Sequence, residues 1–387
     1  MSLLITSSYV NLLQARNPKS SSFTYQIPSR FASVSSFNRN PKTKAVSSSL
    51  MTVKRSLIDT DGEVLVSKME PAVVLVHRPP ALDFIDEPLS RHRINALYTH
   101  TSPDSLQDFL STHAASVRAV VSLGKLPMTA EFMSNLPSLG IVVCASVGFD
   151  HVDLDECRRR RIVVTNAGDA YGEDVADLAV GLLLSVLRRI PSVDRYVRSG
   201  RWTRLWDYPV GLKLDRKKVG IVGLGNIGSL VAKRLEPFGC IISYNSRSPK
   251  PGVPYVYYPD ILSLAADNDL LILCCSLTDE THHIVNRRVM ETLGTNGVII
   301  NVGRGGLIDE KEMVKCLVKG VIWGVGLDVF DNEPEVPQEL FNLENVVLSP
   351  HSAGMTAESL TNVSEVTVAN LKAFFSDQPL MFTVQLD

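Results

Sequence analysis

Short runs of β-branched and other apolar residues alternate with longer stretches of helical spacing along most of the chain. The first series predicts five strands, at residues 72–76, 94–98, 119–122, 140–146 and 161–166. The stretches between some of these strands predict helices, at residues 102–113, which a serine would cap, and at 129–136. This series predicts one small α/β unit.

A long apolar helix and a second alternating series follow the first unit. Residues 172–190 are apolar on most faces, which predicts a helix buried between two bodies. From residue 218 onward, further strand-like runs are separated by helical stretches, a pattern typical of a parallel sheet covered on both faces. The last stretch, 357–376, predicts an amphipathic helix that packs back on the first unit.

Composition and charge exclude several classes of protein. The chain has 387 residues, 45% of them hydrophobic and 21% charged, which is enough for two domains with their own cores. With a net charge of -2, the chain lacks the excess of positive charge that is typical of nucleic-acid-binding proteins. No apolar run is long enough to predict a membrane span. The six cysteines show no metal-ligand spacing, so we expect reduced core thiols and no metal site.

The first fifty residues have a composition of their own. They are rich in serine, carry scattered Arg and Lys, and contain no acid, since the first acidic residue is Asp59. This composition is typical of an organelle transit peptide, plastid more than mitochondrial. We therefore expect a chloroplast location, with a mitochondrial or cytosolic location as the alternatives. Residues 51–70 are interpreted as a linker.

A glycine-rich turn lies between an apolar strand and a helix in the second series. Gly223, Gly225 and Gly228 form a G-x-G-x-x-G pattern, and the predicted site includes Asn226 and Ile227 between them. The first glycine permits a tight turn, the second lets the backbone approach a pyrophosphate, and the third lets helix and strand pack closely. In this context the pattern predicts dinucleotide binding at the helix N-terminus.

About twenty residues after such a turn, NAD-binding proteins usually carry an acid that holds the adenosine ribose. This chain has Asn245, Ser246, Arg247 and Ser248 there instead. An acid would repel the extra phosphate of NADP, whereas a guanidinium, hydroxyls and an amide would bind it through charge-assisted hydrogen bonds. We predict NADP as the cofactor, with NAD as the weaker alternative.

Charged residues follow successive strands of the second series. Arg304 can bind a carboxylate and the neighbouring carbonyl oxygen, His351 can donate a proton, and Glu333 can orient the imidazole. Together they predict reduction of an anionic carbonyl compound. The predicted cofactor site also includes Cys275, Ser276, Thr281, Val302, Arg304, Asp328, His351 and Ala353.

In the first unit, a strand ends in the small-residue turn Ser122, Leu123 and Gly124. Consecutive backbone N–H groups in such a turn can form a concavity that binds an anion. We therefore predict that these three residues contact the substrate carboxylate, together with Arg304 and His351.

These residues resemble the D-isomer-specific 2-hydroxyacid dehydrogenase family. The similarity runs from about residue 71 to the C-terminus and rests on segments such as SVGFDHVDL, GLGNIG, NVGRGGLIDE, GLDVFDNEP and SPHSAG. Within the family, the chain is most similar to plant glyoxylate/hydroxypyruvate reductases. The resemblance implies catalytic roles for Arg304, Glu333 and His351, and contact of Asp328 with the nicotinamide carboxamide.

The resemblance also implies the architecture and the reaction. We expect an α/β fold of two Rossmann-like domains, with a doubly wound coenzyme domain (169–351) inserted into a smaller flavodoxin-like substrate domain (71–168 and 352–387). Such enzymes dimerise largely through their coenzyme domains. The expected substrate is a small 2-oxo acid, hydroxypyruvate or glyoxylate. The alternatives are a larger aromatic 2-oxo acid such as hydroxyphenylpyruvate, or a non-enzymatic nucleotide-sensing corepressor of the same fold.

The transit-peptide hypothesis predicts the behaviour of a fusion protein. Residues 1–50 joined to a fluorescent protein should direct it into plastids of plant cells, because the segment carries the serine-rich, acid-free composition of a plastid address. The measurement is co-localisation with chlorophyll fluorescence. Fluorescence confined to the cytosol would contradict the hypothesis, and Met51 would then be tested as a start site.

Overall fold

The fold consists of two parallel β-sheets, which the computed structural model describes over residues 73–100, 106–124, 126–203 and 208–386. The predicted transit segment and linker lie outside these residues. Within them, no helix combines the length and apolar character needed to cross a membrane.

The smaller sheet has five parallel strands in the order β2-β1-β3-β4-β5, which is the flavodoxin-like arrangement. Its strands are β1 (Val73–His77), β2 (Ala96–Tyr98), β3 (Val117–Ser122), β4 (Ile141–Cys144) and β5 (Val163–Thr165). The helices in the same part of the chain are α1 (Asp86–Arg91), α2 (Leu106–His113), α3 (Ala130–Ser134) and α4 (Leu154–Arg160).

The larger sheet has seven parallel strands in the order β12-β11-β10-β9-β6-β7-β8, the doubly wound arrangement. Its strands are β6 (Lys218–Val222), β7 (Ile241–Asn245), β8 (Val256–Tyr258), β9 (Leu270–Leu273), β10 (Val298–Asn301), β11 (Gly324–Leu327) and β12 (Val346–Leu348). The remaining α-helices are α5 (Gly172–Leu187), α6 (Ile190–Arg198), α7 (Asn226–Leu235), α8 (Ile261–Asp267), α9 (Arg287–Leu293), α10 (Glu310–Val318) and α11 (Ala357–Phe375).

Both faces of the larger sheet are buried, as continuous apolar strands require. Along β9, Leu270 and Ile272 pack into one core with α5 and α7, whereas Leu271 and Leu273 pack into a second core with α8, α9 and α10. This alternation is the two-residue period of a strand. The smaller sheet likewise separates two cores, one of which contains residues of α11, so the final helix packs on the first unit as predicted.

The structure corrects two predictions about secondary structure. The helix predicted for 172–190 ends at Leu187, because Arg189 adopts a left-handed conformation and Pro191, in the first turn of α6, has no N–H to continue a helical ladder. The three-residue edge strand β8 was not predicted, since it is too short to show a period of its own.

The side chain of His77 lies in the core at the end of β1. It is only 6% exposed and stacks on Phe132 with 4.6 Å between ring centroids. Burial, with a smaller contribution from the charge of nearby His151, lowers the pKa of His77 from 6.5 to about 4. His77 is therefore neutral in the folded protein at pH 5–6, where the unfolded chain already binds a proton at this position.

This difference predicts the pH dependence of stability. Because the pKa of His77 is depressed in the folded state, stability should fall as pH drops below 6.5, by about 3 kcal/mol in total once pH reaches 4. The His77→Gln variant should lose less stability than wild type between pH 7 and pH 4.5. Urea unfolding at the two pH values measures the losses, and equal losses in the two proteins would refute the assignment.

Candidate active site

The carboxyl ends of six adjacent strands of the larger sheet form a continuous row. Register pairs join the last residues of these strands across the sheet, so the loops that follow them leave the sheet at the same edge. Ligands of open α/β sheets bind outside this edge. We call these six residues the carboxyl row: Asn245, Val222, Leu273, Asn301, Leu327 and Leu348.

The glycine-rich turn follows Val222 in the carboxyl row and leads into α7. Gly223 has a φ of +92°, and a Cβ there would lie 2.7 Å from Cys275, so neither the conformation nor the space admits a side chain. Gly225 is the N-cap of α7, and a Cβ on Gly228 would collide with the carbonyl oxygen of Gly223. The turn thus leaves an open backbone at the N-terminus of a ten-residue helix, as a bound pyrophosphate requires.

The polar loop after β7 uses part of its hydrogen-bonding capacity internally. The amide nitrogen of Asn245 donates to the Tyr258 carbonyl oxygen at 2.9 Å, and the Ser246 hydroxyl donates to the Ser248 carbonyl oxygen at 2.7 Å. These two donors, which we predicted would bind the extra phosphate of NADP, hold the loop in this structure. The exposed side chains of the loop include Arg247 and Ser248.

The turn after β9 packs against Gly223 through Cys275. Thr281 stabilises it, because its hydroxyl accepts from Thr278 N at 2.7 Å and donates to the Ser276 carbonyl oxygen at 2.8 Å. Val302, which follows β10, is 7% exposed, and its N–H donates to the Leu273 carbonyl oxygen. Thr281 therefore shapes the predicted cofactor site through its loop, with Ser276 exposed at the surface.

Arg304 is positioned by the loop that follows β10. The buried Asn301 amide donates to the Arg304 carbonyl oxygen at 2.8 Å and accepts from Gly303 N at 3.1 Å, so the loop is held from within. The guanidinium donates through Nη1 to the Gly303 carbonyl oxygen at 2.8 Å, and through Nε to Asp150 Oδ2 at 2.6 Å. Asp150 belongs to the loop after β4, so this ion pair joins the edges of the two sheets.

His351 and Glu333 form a hydrogen-bonded pair beyond β12 and β11. The imidazole Nδ1 lies 2.8 Å from Glu333 Oε2, and the other carboxylate oxygen accepts from Phe330 N at 3.1 Å. The Glu333 side chain is 13% exposed, whereas the His351 side chain is 40% exposed. A mostly buried acid thus fixes one nitrogen of a more accessible imidazole, which leaves Nε2 for an exchangeable proton.

Asp328 holds the loop that carries His351. Its side chain is 1% exposed, and its two oxygens accept from Ser352 N at 2.9 Å and Ala353 N at 3.1 Å. Its carbonyl oxygen also accepts from His351 N at 2.8 Å. In this structure Asp328 and Ala353 are hydrogen-bonded to each other and shape this loop. Their predicted contact with the cofactor stays a prediction.

The predicted anion concavity at the end of β3 is corrected in part. Leu123 is 1% exposed, and its N–H donates to the His77 carbonyl oxygen at 3.0 Å, because the pairing of β1 with β3 continues one residue beyond the strand. The Ser122 side chain is fully buried, with its oxygen 2.9 Å from His151 Nε2. Of the three predicted substrate contacts, Gly124, with a φ of +72°, is the one whose N–H is left for a ligand within the described residues.

Three residues that lie at the site, Gly148, Asp150 and His151, were not predicted from the sequence. A Cβ on Gly148 would collide with Arg304 Nη2, so the backbone of this loop lies directly against the guanidinium. Burial lowers the pKa of His151, an effect that nearby Asp150 opposes and Arg304 reinforces. All three belong to SVGFDHVDL, and an acid and a histidine just after a strand end were the signal that could have identified them.

Comparison with known proteins identifies a family profile within the chain. Residues 180–353, which contain the glycine turn, Arg304, Glu333 and His351, match the profile described as D-isomer specific 2-hydroxyacid dehydrogenase, NAD binding domain.

Two curated plant proteins and one crystal structure are similar over most of the chain. A glyoxylate/hydroxypyruvate reductase of Arabidopsis thaliana is 65% identical over 323 residues, which are 84% of this chain and 100% of the relative. A hydroxyphenylpyruvate reductase of Plectranthus scutellarioides is 48% identical over 74% of this chain and 92% of that protein. The NADPH-dependent glyoxylate/hydroxypyruvate reductase of Sinorhizobium meliloti, solved with NADP and malonate, aligns with a TM-score of 0.75 and 36% identity over 82% of this chain and 97% of that one.

Proposed function

The chain belongs to the D-isomer-specific 2-hydroxyacid dehydrogenase family and is an NAD(P)-dependent enzyme. We propose that it uses NADPH to reduce hydroxypyruvate to the D-2-hydroxy acid, or glyoxylate to its achiral 2-hydroxy acid. The observation that carries this proposal is the Glu333–His351 pair, in which Oε2 and Nδ1 are 2.8 Å apart. Arg304, Glu333 and His351 follow β10, β11 and β12, which are consecutive strands of the sheet. Reduction of an anionic carbonyl compound needs a group that binds the anion and a group that donates a proton, and a guanidinium beside an acid–base pair provides both.

The residues around the glycine turn fit a dinucleotide. Gly223 and Gly228 keep the backbone bare where a Cβ would fill the turn, and the N-terminus of α7 carries the N–H groups and partial positive charge that attract a pyrophosphate. Arg247 and Ser248 would hold the extra phosphate of NADPH from the exposed loop after β7. When bound, this cofactor supplies the hydride.

Arg304 would bind the substrate through the donors that the protein leaves available. A guanidinium has five N–H donors, of which Asp150 and the Gly303 carbonyl oxygen each take one. The remaining donors on Nη1 and Nη2 form a fork that matches a carboxylate oxygen and the adjacent carbonyl oxygen of a 2-oxo acid. The same fork polarises the carbonyl group and stabilises negative charge as it develops on the oxygen.

His351 would supply the proton that the new hydroxyl group needs. The reaction adds a hydride to carbon 2 and a proton to its oxygen, and a protonated imidazole can give that proton from Nε2. Glu333 fixes the orientation of the ring through its bond to Nδ1. Because Phe330 N restrains the other oxygen of Glu333, the carboxylate is held in this orientation.

Hydroxypyruvate and glyoxylate are favoured over an aromatic 2-oxo acid. The relative that is 65% identical carries the name of a glyoxylate/hydroxypyruvate reductase, whereas the hydroxyphenylpyruvate reductase is 48% identical. The Sinorhizobium enzyme was solved with malonate, a three-carbon dicarboxylate of similar size to hydroxypyruvate. Hydroxyphenylpyruvate remains the second candidate.

We further propose a homodimer and a plastid location. Large apolar side chains are exposed on α6 and the segment after it, including Val197 at 51%, Trp202 at 54% and Val210 at 83%, and exposed apolar surface of this kind is typical of an interface. The plastid location is supported by the composition of residues 1–50 and by the plant origin of the relatives.

The first experiment combines a substrate panel with a variant of the proton donor. Hydroxypyruvate or glyoxylate should deplete NADPH absorbance faster than hydroxyphenylpyruvate, and His351→Asn should lower turnover by about 10²–10⁴-fold because the amide cannot donate a proton of suitable acidity. NADPH binding, followed by fluorescence titration, should be unchanged.

The matched control is His113→Asn, a change in a half-buried histidine on α2 that should leave turnover unaffected. Turnover of His351→Asn within threefold of wild type would show that another group donates the proton. A preference for hydroxyphenylpyruvate would instead select the second candidate substrate.

The second experiment tests cofactor choice. The double variant Arg247→Ala/Ser248→Asp should reverse a preference for NADPH on the order of a hundredfold, since two charge-assisted hydrogen bonds of about 1.5–3 kcal/mol each are lost and an acid is added. Asn245 and Ser246 are left in place because their side chains hold the loop. The measurement is the ratio of kcat/KM for NADPH and NADH.

Arg91→Ala, which removes an exposed arginine from α1, serves as the control and should keep the wild-type ratio. If the double variant also keeps that ratio, the loop after β7 does not contact the phosphate.

A further inference from the structure

An ion pair connects Arg304 to a loop of the other sheet. Asp150 lies in the loop after β4 and Arg304 in the loop after β10, 154 residues apart in the chain, yet Asp150 Oδ2 accepts from Arg304 Nε at 2.6 Å. The Arg304 side chain is 24% exposed and the Asp150 side chain is 47% exposed. Partly exposed ion pairs add little to folding stability, so stability alone does not account for an acid at this position.

The pair decides which edge of the guanidinium can meet a substrate. A guanidinium can bind a carboxylate through the edge formed by Nε and Nη2 or through the edge formed by Nη1 and Nη2. Asp150 occupies Nε, and the Gly303 carbonyl oxygen takes one N–H of Nη1. The edge that retains a donor on both of its nitrogens is therefore Nη1–Nη2.

The same loop constrains the guanidinium sterically. Gly148, two residues before Asp150, has no side chain, and a Cβ there would collide with Arg304 Nη2. The Ser146 hydroxyl donates to the Gly148 carbonyl oxygen at 2.7 Å and fixes the backbone at this point. The loop thus holds the guanidinium by charge on one nitrogen and by close packing on another.

We propose that Asp150 is a positioning residue that turns the Nη1–Nη2 edge of Arg304 toward the 2-oxo acid. The inference rests on the role proposed above for Arg304. Asp150 carries a negative charge near an anionic substrate, so its contribution comes through the guanidinium that it orients and neutralises in part. Without it, the guanidinium can rotate and present either edge, so that few of its orientations match the carboxylate and carbonyl oxygens together.

A double-mutant cycle tests this inference directly. Asp150→Ala should lower kcat/KM for hydroxypyruvate by tenfold or more, mainly through KM, while NADPH affinity stays within twofold of wild type. Asp150→Asn should restore most of the loss, because the amide oxygen still accepts from Nε. In an Arg304→Lys background, Asp150→Ala should cost less than threefold, because lysine has no edge to select.

Asp155→Ala is the matched control, since Asp155 lies five residues further on and pairs with Arg158 at the surface. It should leave kcat/KM unchanged in both backgrounds. A loss from Asp150→Ala that is equal in the wild-type and Arg304→Lys backgrounds would overturn the inference. If Arg304→Lys alone has wild-type kinetics, the proposed role of Arg304 fails, and this inference fails with it.

If Asp150→Ala fails to fold, Gly148→Ala can be compared in the wild-type and Arg304→Lys backgrounds instead, because its methyl group would displace the same guanidinium. It too should raise KM for hydroxypyruvate at least tenfold and have little effect in the Arg304→Lys background. Equal effects in the two backgrounds would count against the loop as the element that orients Arg304.

Discussion

The site depends on the in-register parallel pairing of the strands of the larger sheet. Each register pair along the carboxyl row brings the ends of two strands together, so loops that are far apart in sequence begin at neighbouring points. Residues of this row are followed by the glycine turn, the turn after β9, Arg304 and His351. A slip of one residue in any strand would turn its side chains to the opposite face and move its loop along the edge.

Buried polar side chains then fix the loops that leave the row. Asn301 closes the loop of Arg304, and Asp328 closes the loop of His351 by accepting two backbone N–H groups. Such groups are costly to bury unless they are hydrogen-bonded, so each one specifies a single loop conformation. The groups proposed for chemistry are more exposed than the groups that hold their loops, as contact with a substrate requires.

Each acid of the site is paired with a group that uses its charge. Glu333 is bonded to His351, Asp150 to Arg304, and Asp328 to backbone N–H groups, so each of these three carboxylates has a partner among the described residues. In the proposed reaction, the positive charge of Arg304 and the proton of His351 act on the substrate. The larger sheet contributes both groups, and the smaller sheet contributes Asp150, the acid that binds the guanidinium.

The sequence alone was sufficient for the parts of the protein whose physical basis is local. Strand and helix periodicity predicted both sheets, and the glycine spacing predicted the bare backbone turn between β6 and α7. Charged residues just after strand ends indicated Arg304, Glu333 and His351, because parallel strands place those ends at one edge.

The tertiary structure was needed for contacts between distant segments, such as Asp150 with Arg304 and Ser122 with His151. It also showed that Asn245 holds its own loop and that the Leu123 N–H extends a strand pairing. A hydrogen-bonding group in a sequence does not specify its partner, since that choice depends on which other groups the fold brings within about 3 Å.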